Sequence, residues 1–288
     1  MRLRMFLVGG LLLLASLVGA QGVVTTVRQE VDRAHPLLRG LVGWWPLAPG
    51  LVGGRSVWNL VGPRHGTLGG TLTYATDPTG KFGAVLRFDG GGGVAQFGNV
   101  FAFERTDTFS LVLHFRAASQ NNTYLLAKAA VASSTAGYYL KLGGGTSNKV
   151  VWSLLDASAN CIEIVTTNTT FLDGRDHQVI GTYAGGSTEA SMVLAVDGRV
   201  QATSSNCGGT LSASIVTTNQ LAFGGDANGS NAFTGDIGMV MIYNRVLSTA
   251  EIAALAQLRA PDYGGLLPES TIPLLATVPR VKRRVVIE

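Results

Sequence analysis

Two segments decide the reading of the fold: Gly40-Leu41-Val42-Gly43-Trp44-Trp45-Pro46-Leu47 and, near the other end of the chain, Ile242-Tyr243-Asn244-Arg245-Val246-Leu247-Ser248-Thr249-Ala250-Glu251-Ile252. The first is an aromatic and aliphatic run bounded by turn formers, which is the pattern of a strand. Trp44 and Trp45 are consecutive, so a strand sends them to opposite faces and at least one points inward. In the second, an apolar run gives way to Ser248, with Glu251 three residues on and Ile252, Leu255 and Leu258 at helical spacing. Ser248 and Glu251 can satisfy each other's orphan backbone N–H groups as a capping box. That spacing predicts one short C-terminal helix laying its apolar stripe over a sheet edge.

Between these ends the chain repeats one theme. Residues 111–115, 138–142, 150–155, 162–167, 177–183, 192–196 and 239–243 are short runs of β-branched, aromatic and aliphatic residues. Gly143-Gly144-Gly145, Asp173-Gly174, Gly185-Gly186, Asp197-Gly198 and Gly224-Gly225-Asp226 separate them and favour tight reversals. Many strands with no long helical pattern between them predict an all-β, antiparallel sandwich, and 288 residues can form one such domain.

The opening and closing segments resemble those of laminin-G-like jelly rolls in the concanavalin A-like superfamily. Val57-Trp58-Asn59-Leu60 with His65-Gly66-Thr67-Leu68, Phe82-Gly83-Ala84-Val85-Leu86-Arg87-Phe88-Asp89-Gly90, Thr108-Phe109-Ser110-Leu111, Gly137-Tyr138-Tyr139-Leu140, and His177-Gln178-Val179 with Val196-Asp197-Gly198 continue that resemblance in the family's order. It covers residues 39–258 and implies a concanavalin A-like jelly roll.

The flanks read differently. Arg2 and Arg4 precede an apolar run over residues 6–18, short of the roughly 20 residues a membrane span needs, and Val18-Gly19-Ala20 resembles a cleavage site. Residues 1–20 are therefore expected to be a signal peptide, leaving no stable membrane span and an extracellular or cell-surface protein. Residues 21–38 read as a polar linker and 259–288 as a proline-containing basic tail, both extended or flexible. The phrase His35-Pro36-Leu37-Leu38-Arg39-Gly40 also resembles lead-ins of phage-encoded jelly rolls, so a virion decoration or fibre protein stands as the alternative. Tails that make assembly contacts would suit an oligomer.

The formal net charge is +4, but without the two leader arginines and the C-terminal Arg280, Lys282, Arg283, Arg284 and Glu288 the rest carries about −1. Its basic residues are scattered, which argues against a nucleic-acid partner. Cys161 and Cys207 are the only cysteines, and an even count in an exported chain predicts a disulfide.

Catalytic patterns are missing. Glucanases of this fold carry carboxylates alternating on one strand face, because a retaining mechanism needs two about 5 Å apart. Glu163 has no such companion in sequence and reads as a solvated strand carboxylate, and Glu104 and Asp107 read as loop residues. His35, His65, His114 and His177 lie far apart, with His65 and His177 at packing positions, and no nucleophile elbow or zinc motif occurs. The expectation is a non-enzyme.

What remains is recognition of a glycan or an extracellular protein by rim loops. Asp226-Ala227-Asn228-Gly229-Ser230-Asn231 is the most densely polar loop, making Asp226, Asn228 and Asn231 the candidate ligand-binding residues. Replacing Asp226 and Asn228 together is expected to spare stability. The resemblance also raises a rim Ca²⁺ site, for which Asp89, Asp226 and Asp236 are the candidate ligands. Gly91-Gly92-Gly93 and Gly238-Met239 stand where relatives carry acidic residues. Trp44, Trp45, Trp58 and Trp152 could stack on sugars, though core packing is their default role.

Overall fold

A computed structural model describes residues 35–47, 52–53, 55–118, 120, 122–130, 136–144 and 146–259. The expected signal peptide, most of the linker and the basic tail from residue 260 lie outside the described residues. Two antiparallel sheets face each other. The eight-stranded sheet runs Arg199–Val200, Met192–Val196, Asp176–Tyr183, Phe109–Arg116, Thr234–Tyr243, Ala84–Asp89 and Thr73–Thr76, with Leu41–Pro46 also pairing to Thr234–Tyr243. The ten-stranded sheet runs Thr203–Ser205, Cys161–Thr166, Thr146–Leu155, Gly137–Gly144, Thr123–Lys128, Ala222–Phe223, Ala95–Gln96, Gly66–Leu68, Ser56–Val57 and Val52–Gly53. This is the expected jelly-roll sandwich.

The two ends of the domain meet where Trp44 lies opposite Met241 and Trp45 opposite Val240. Trp45 enters the space between the sheets, 4.9 Å from the ring of Phe97 and 5.5 Å from that of Phe223. Its indole lies against Gly43, where a Cβ would come within 2.3 Å of the ring, so glycine is required there. Trp44 takes the opposite face and is also fully buried. Burial on both faces is possible because the helix Thr249–Ala256 packs Ile252 and Leu255 onto a second apolar cluster with Val112, Met239, Met241 and Tyr243. The helix therefore covers the outer face of the eight-stranded sheet rather than only its edge. Those cluster members come from the sheet's central strands, which explains why Phe109–Arg116 is buried along nearly its whole length.

The capping box forms as expected: the Ser248 Oγ accepts from the Glu251 N–H, and Glu251 accepts from the Ser248 N–H. Arg245 clamps the same carboxylate at 2.7 and 2.9 Å and donates to the Arg39 carbonyl, tying the helix to the start of the domain. The linker expected over residues 21–38 is shorter than the sequence suggests. Pro36–Leu38 forms a 3-10 turn whose start is capped by His35, and Leu38 is buried in the helix-side cluster. Two adjacent leucines after a proline supply enough apolar surface to pull the turn onto the fold.

Between the sheets, Trp152 packs edge-on to Phe109 and donates its indole N–H to the Thr182 carbonyl. The predicted disulfide joins Cys161 to Cys207, with Cα atoms 5.7 Å apart. Among the described residues no helix is long and apolar enough to cross a membrane.

Candidate functional site

The polar loop over residues 226–231 leaves the strand Ala222–Phe223 and returns into Thr234–Tyr243. A tight reversal there strands backbone N–H groups, and Asp226 collects them: its Oδ1 accepts from Asn228 at 2.9 Å and from Ser230 at 2.8 Å. The Asn231 carbonyl anchors the loop by accepting from the Tyr124 N–H. Neighbouring segments converge on the same rim. Gly90 donates to the Phe233 carbonyl, Gln120 donates to that of Thr234, and the Asn122 amide reaches Asn231 Oδ1 at 3.4 Å. Asn122 and Asn231 both adopt left-handed backbone with φ of 54° and 49°, which asparagine tolerates better than most residues. Asn228, Ser230 and Asn231 face solvent, whereas Asp226 is fully buried.

The expectation for Asp226 changes accordingly. Its carboxylate organises the turn from within instead of pointing at a ligand, so replacing it is not neutral. Asp226→Ala is expected to destabilise the protein by about 2 kcal/mol, the cost of orphaning backbone donors once held by a charge. Asn228→Ala should change stability by under about 0.5 kcal/mol. Urea titrations of the two single variants check the contrast, and equal stability would show that the cap is dispensable.

The three carboxylates expected to hold calcium do not assemble. Asp89 Oδ1 accepts from the Gly91 N–H. Asp236 is nearly buried and engaged by Arg87 at 2.8 and 3.0 Å, with Arg116 at 3.9 Å. Among the described residues no group of three or more His, Cys, Asp or Glu side chains is placed to hold a metal ion. Calcium wants six to eight oxygens, and these are committed to guanidinium and backbone N–H groups. Asp89, Asp226 and Asp236 therefore do not form one shared cation site.

Glu163 departs from its reading as a solvated carboxylate. Strand register places Glu163 opposite Ser153 and Ser153 opposite Tyr139, so the three side chains share the outer face of the ten-stranded sheet. Glu163 is buried, accepts from the Tyr139 hydroxyl at 3.0 Å and from the Asn206 amide, and has Lys141 Nζ at 3.9 Å. Lys141 also sits over the Tyr139 ring, and Tyr124 meets that ring edge-on at 5.1 Å. Burial, reinforced by the Glu163 charge, pushes the Tyr139 phenol far above its ordinary range. The phenol stays protonated and serves as a donor to the carboxylate. Outward-phase polar residues in Tyr138-Tyr139-Leu140-Lys141 and Cys161-Ile162-Glu163 carried a signal of this row, but only register shows that they meet.

The histidines each hold a structural place. His177 lies between Asp197 at 2.7 Å and Asp173 at 3.0 Å. His114 is buried against Gln178 and Phe82, His65 accepts from the Asn59 N–H, and His35 caps the first turn. The tryptophans divide sharply: Trp44, Trp45 and Trp152 are buried, while Trp58 is 47% exposed.

Comparison with known proteins agrees with this geometry. A family model described as the concanavalin A-like lectin/glucanases superfamily matches residues 89–253. No curated protein sequence matches. Among solved structures, the binding domain of Paraclostridial Mosquitocidal Protein 1 superposes with a TM-score of 0.55 at 15% identity, covering 76% of this chain and 52% of that one. The binding domain of botulinum neurotoxin serotype G gives 0.51 at 16% identity, covering 75% and 50%. Domain 4 of an extracellular arabinanase from Geobacillus stearothermophilus, in complex with arabinotriose, gives 0.51 at 16% identity, covering 75% and 98%. The chain thus spans about half the length of the two toxin binding domains, and at these identities the likeness is one of fold.

Proposed function

The chain belongs to the concanavalin A-like lectin/glucanases superfamily, and from that premise we propose that it is a non-catalytic, extracellular recognition module that binds carbohydrate through the rim built on residues 226–231. The observation that carries this reading is the set of solvent-facing amides and hydroxyls on Asn228, Ser230, Asn231 and Asn122, held on a turn that Asp226 fixes from below. Amides and hydroxyls that both donate and accept match the alternating donor and acceptor character of sugar hydroxyls. A fixed loop lowers the ordering cost of binding. Arabinotriose bound to the arabinanase domain of the same fold supports the ligand class. The disulfide supports an oxidising, extracellular location.

A glycan array tests the reading. The variant combining Asn228→Ala with Asn231→Gly keeps the left-handed backbone at 231 available while removing both amides. It is expected to melt close to wild type and to bind its glycans about tenfold more weakly, a loss of about 1.4 kcal/mol. Undiminished binding by this variant would take recognition away from the rim.

A further inference from the structure

Trp58 stands apart from the other tryptophans in a loop that is rigidly tied to the fold. The buried Asn59 next to it accepts through Oδ1 from the Trp44 N–H at 2.9 Å and from the Val61 N–H at 3.1 Å. Leu60 donates to the Trp44 carbonyl, so the loop is laced to the strand Leu41–Pro46 at two points, both on the Trp44 backbone. These bonds leave the Trp58 indole 47% exposed on a backbone that has little freedom to withdraw it.

His65 completes the arrangement. Its ring centroid lies 4.6 Å from the Trp58 indole, with the planes inclined at 60°. Its Nδ1 accepts from the Asn59 N–H at 3.0 Å, which requires the neutral ring to carry its proton on Nε2. An exposed indole therefore has a donor of defined tautomer beside it, on an exposed imidazole. Arg64 is turned away onto the Phe101 ring, 4.7 Å from its centroid, while its carbonyl accepts from the Trp45 indole. The loop is thus anchored to Trp44, Trp45 and Phe101 on one side, while Trp58 and His65 stay exposed on the other.

We propose that Trp58 and His65 form a second carbohydrate site, in which the apolar face of a pyranose ring stacks on the indole and a ring hydroxyl accepts from His65 Nε2–H. A sugar presents one face of C–H groups edged by hydroxyls, so a flat π-surface flanked by a single fixed donor matches it. The site is far from the rim. The loop attaches at Trp44, which pairs with Met241, whereas the rim joins the start of Thr234–Tyr243; seven residues of strand span roughly 23 Å. One chain could then hold two points of an extended glycan or two chains of a polymer, gaining avidity without new contacts. This inference rests on the carbohydrate reading above for its ligand class, but not on the rim.

Iodide quenching tests it, because the other three tryptophans are buried and the accessible fluorescence reports Trp58. The probes are cellohexaose, xylohexaose, mannohexaose and chitohexaose. At least one is expected to shield Trp58 from iodide and to bind in calorimetry. Trp58→Ala should weaken that binding about tenfold or more with an unchanged melting profile, and Trp58→Phe should restore part of it. His65→Gln, which retains a donor but not the ring, should lie between. The Asn228→Ala, Asn231→Gly variant should leave the shielding intact. If no probe shields Trp58, or if Trp58→Ala binds as wild type does, the second site is overturned, while array binding lost in the rim variant would still uphold the rim. Shielding by phosphatidylcholine vesicles and by no sugar would likewise overturn it.

Discussion

Replacing Asp156 by alanine is expected to cost about 3 kcal/mol of stability, and the cost should fade in acid. Asp156 is fully buried, and among the described residues its carboxylate is hydrogen-bonded by N–H groups alone. Oδ1 accepts from the Ser158 and Asn160 backbone at 2.8 and 3.0 Å, and Oδ2 accepts from Ser212 and Ala213 at 2.8 and 2.9 Å. The Asn160 side-chain amide adds a further donor at 3.0 Å. Alanine would orphan four backbone N–H groups, each worth about 1–3 kcal/mol if left dry, and partial exposure of Ser158 and Ser212 lets water recover part of that. Burial alone would raise this carboxyl, but the Asn160 side chain and the Ala213, Ser212 and Asn160 N–H groups hold it well below the ordinary carboxylate range. A folded value below the unfolded one means that the stabilisation is fully present above about pH 4 and is lost as pH falls through the folded value. Urea midpoints at pH 7 and pH 3 should therefore show the gap between wild type and Asp156→Ala narrowing in acid. A gap that is small at pH 7, or one that widens in acid, would contradict this account.

The architecture was legible because its signals are local. The alternating runs, the Ser248 and Glu251 pair, and two lone cysteines each carry their meaning within a few residues or by count, and the sandwich, the capped helix and the Cys161–Cys207 bridge follow. The site was not legible in the same way, because facing and register are set across the chain. Asp226 reads as a polar loop residue whether it points outward or inward, and only the folded turn shows that it points inward. Glu163 lacks a carboxylate two residues away, which speaks against a glucanase strand, yet its companions Tyr139 and Asn206 come from other strands and loops. Nothing next to Trp58 in sequence marks it as more exposed than Trp45; what holds it outside is Asn59, whose side-chain Oδ1 ties the loop to the Trp44 N–H. Asp89 and Asp236 are plausible cation ligands until Arg87 is seen to occupy the second of them.

Removing the disulfide should be the most damaging single covalent change. The bridge closes a loop with a sequence separation of 46, for which the chain-entropy account gives about 4 kcal/mol. The segment it anchors, residues 206–221, contains no strand of either sheet and is held at separate points along its length. Cys207 bonds to the strand Cys161–Thr166, and Gly208 donates to Glu189. Leu211 donates to the Ser187 carbonyl, Ser212 and Ala213 donate to Asp156, and Ile215 donates to Glu104. The same bridge keeps Asn206 on the Glu163 carboxylate, so its loss also loosens the polar row on the outer sheet face. Because Asp156 and the disulfide restrain one segment, their losses should not add. Once either is gone the segment is partly released, and the second removal should cost about 1 kcal/mol less than it does alone. A double-mutant cycle of Asp156→Ala with the paired Cys161→Ser and Cys207→Ser changes measures this in urea, after alkylation of the native protein has found both thiols unreactive. Strict additivity would mean that the two restraints act on independent parts of the fold, and the clamped-segment account would then fail even if each single cost were as large as expected.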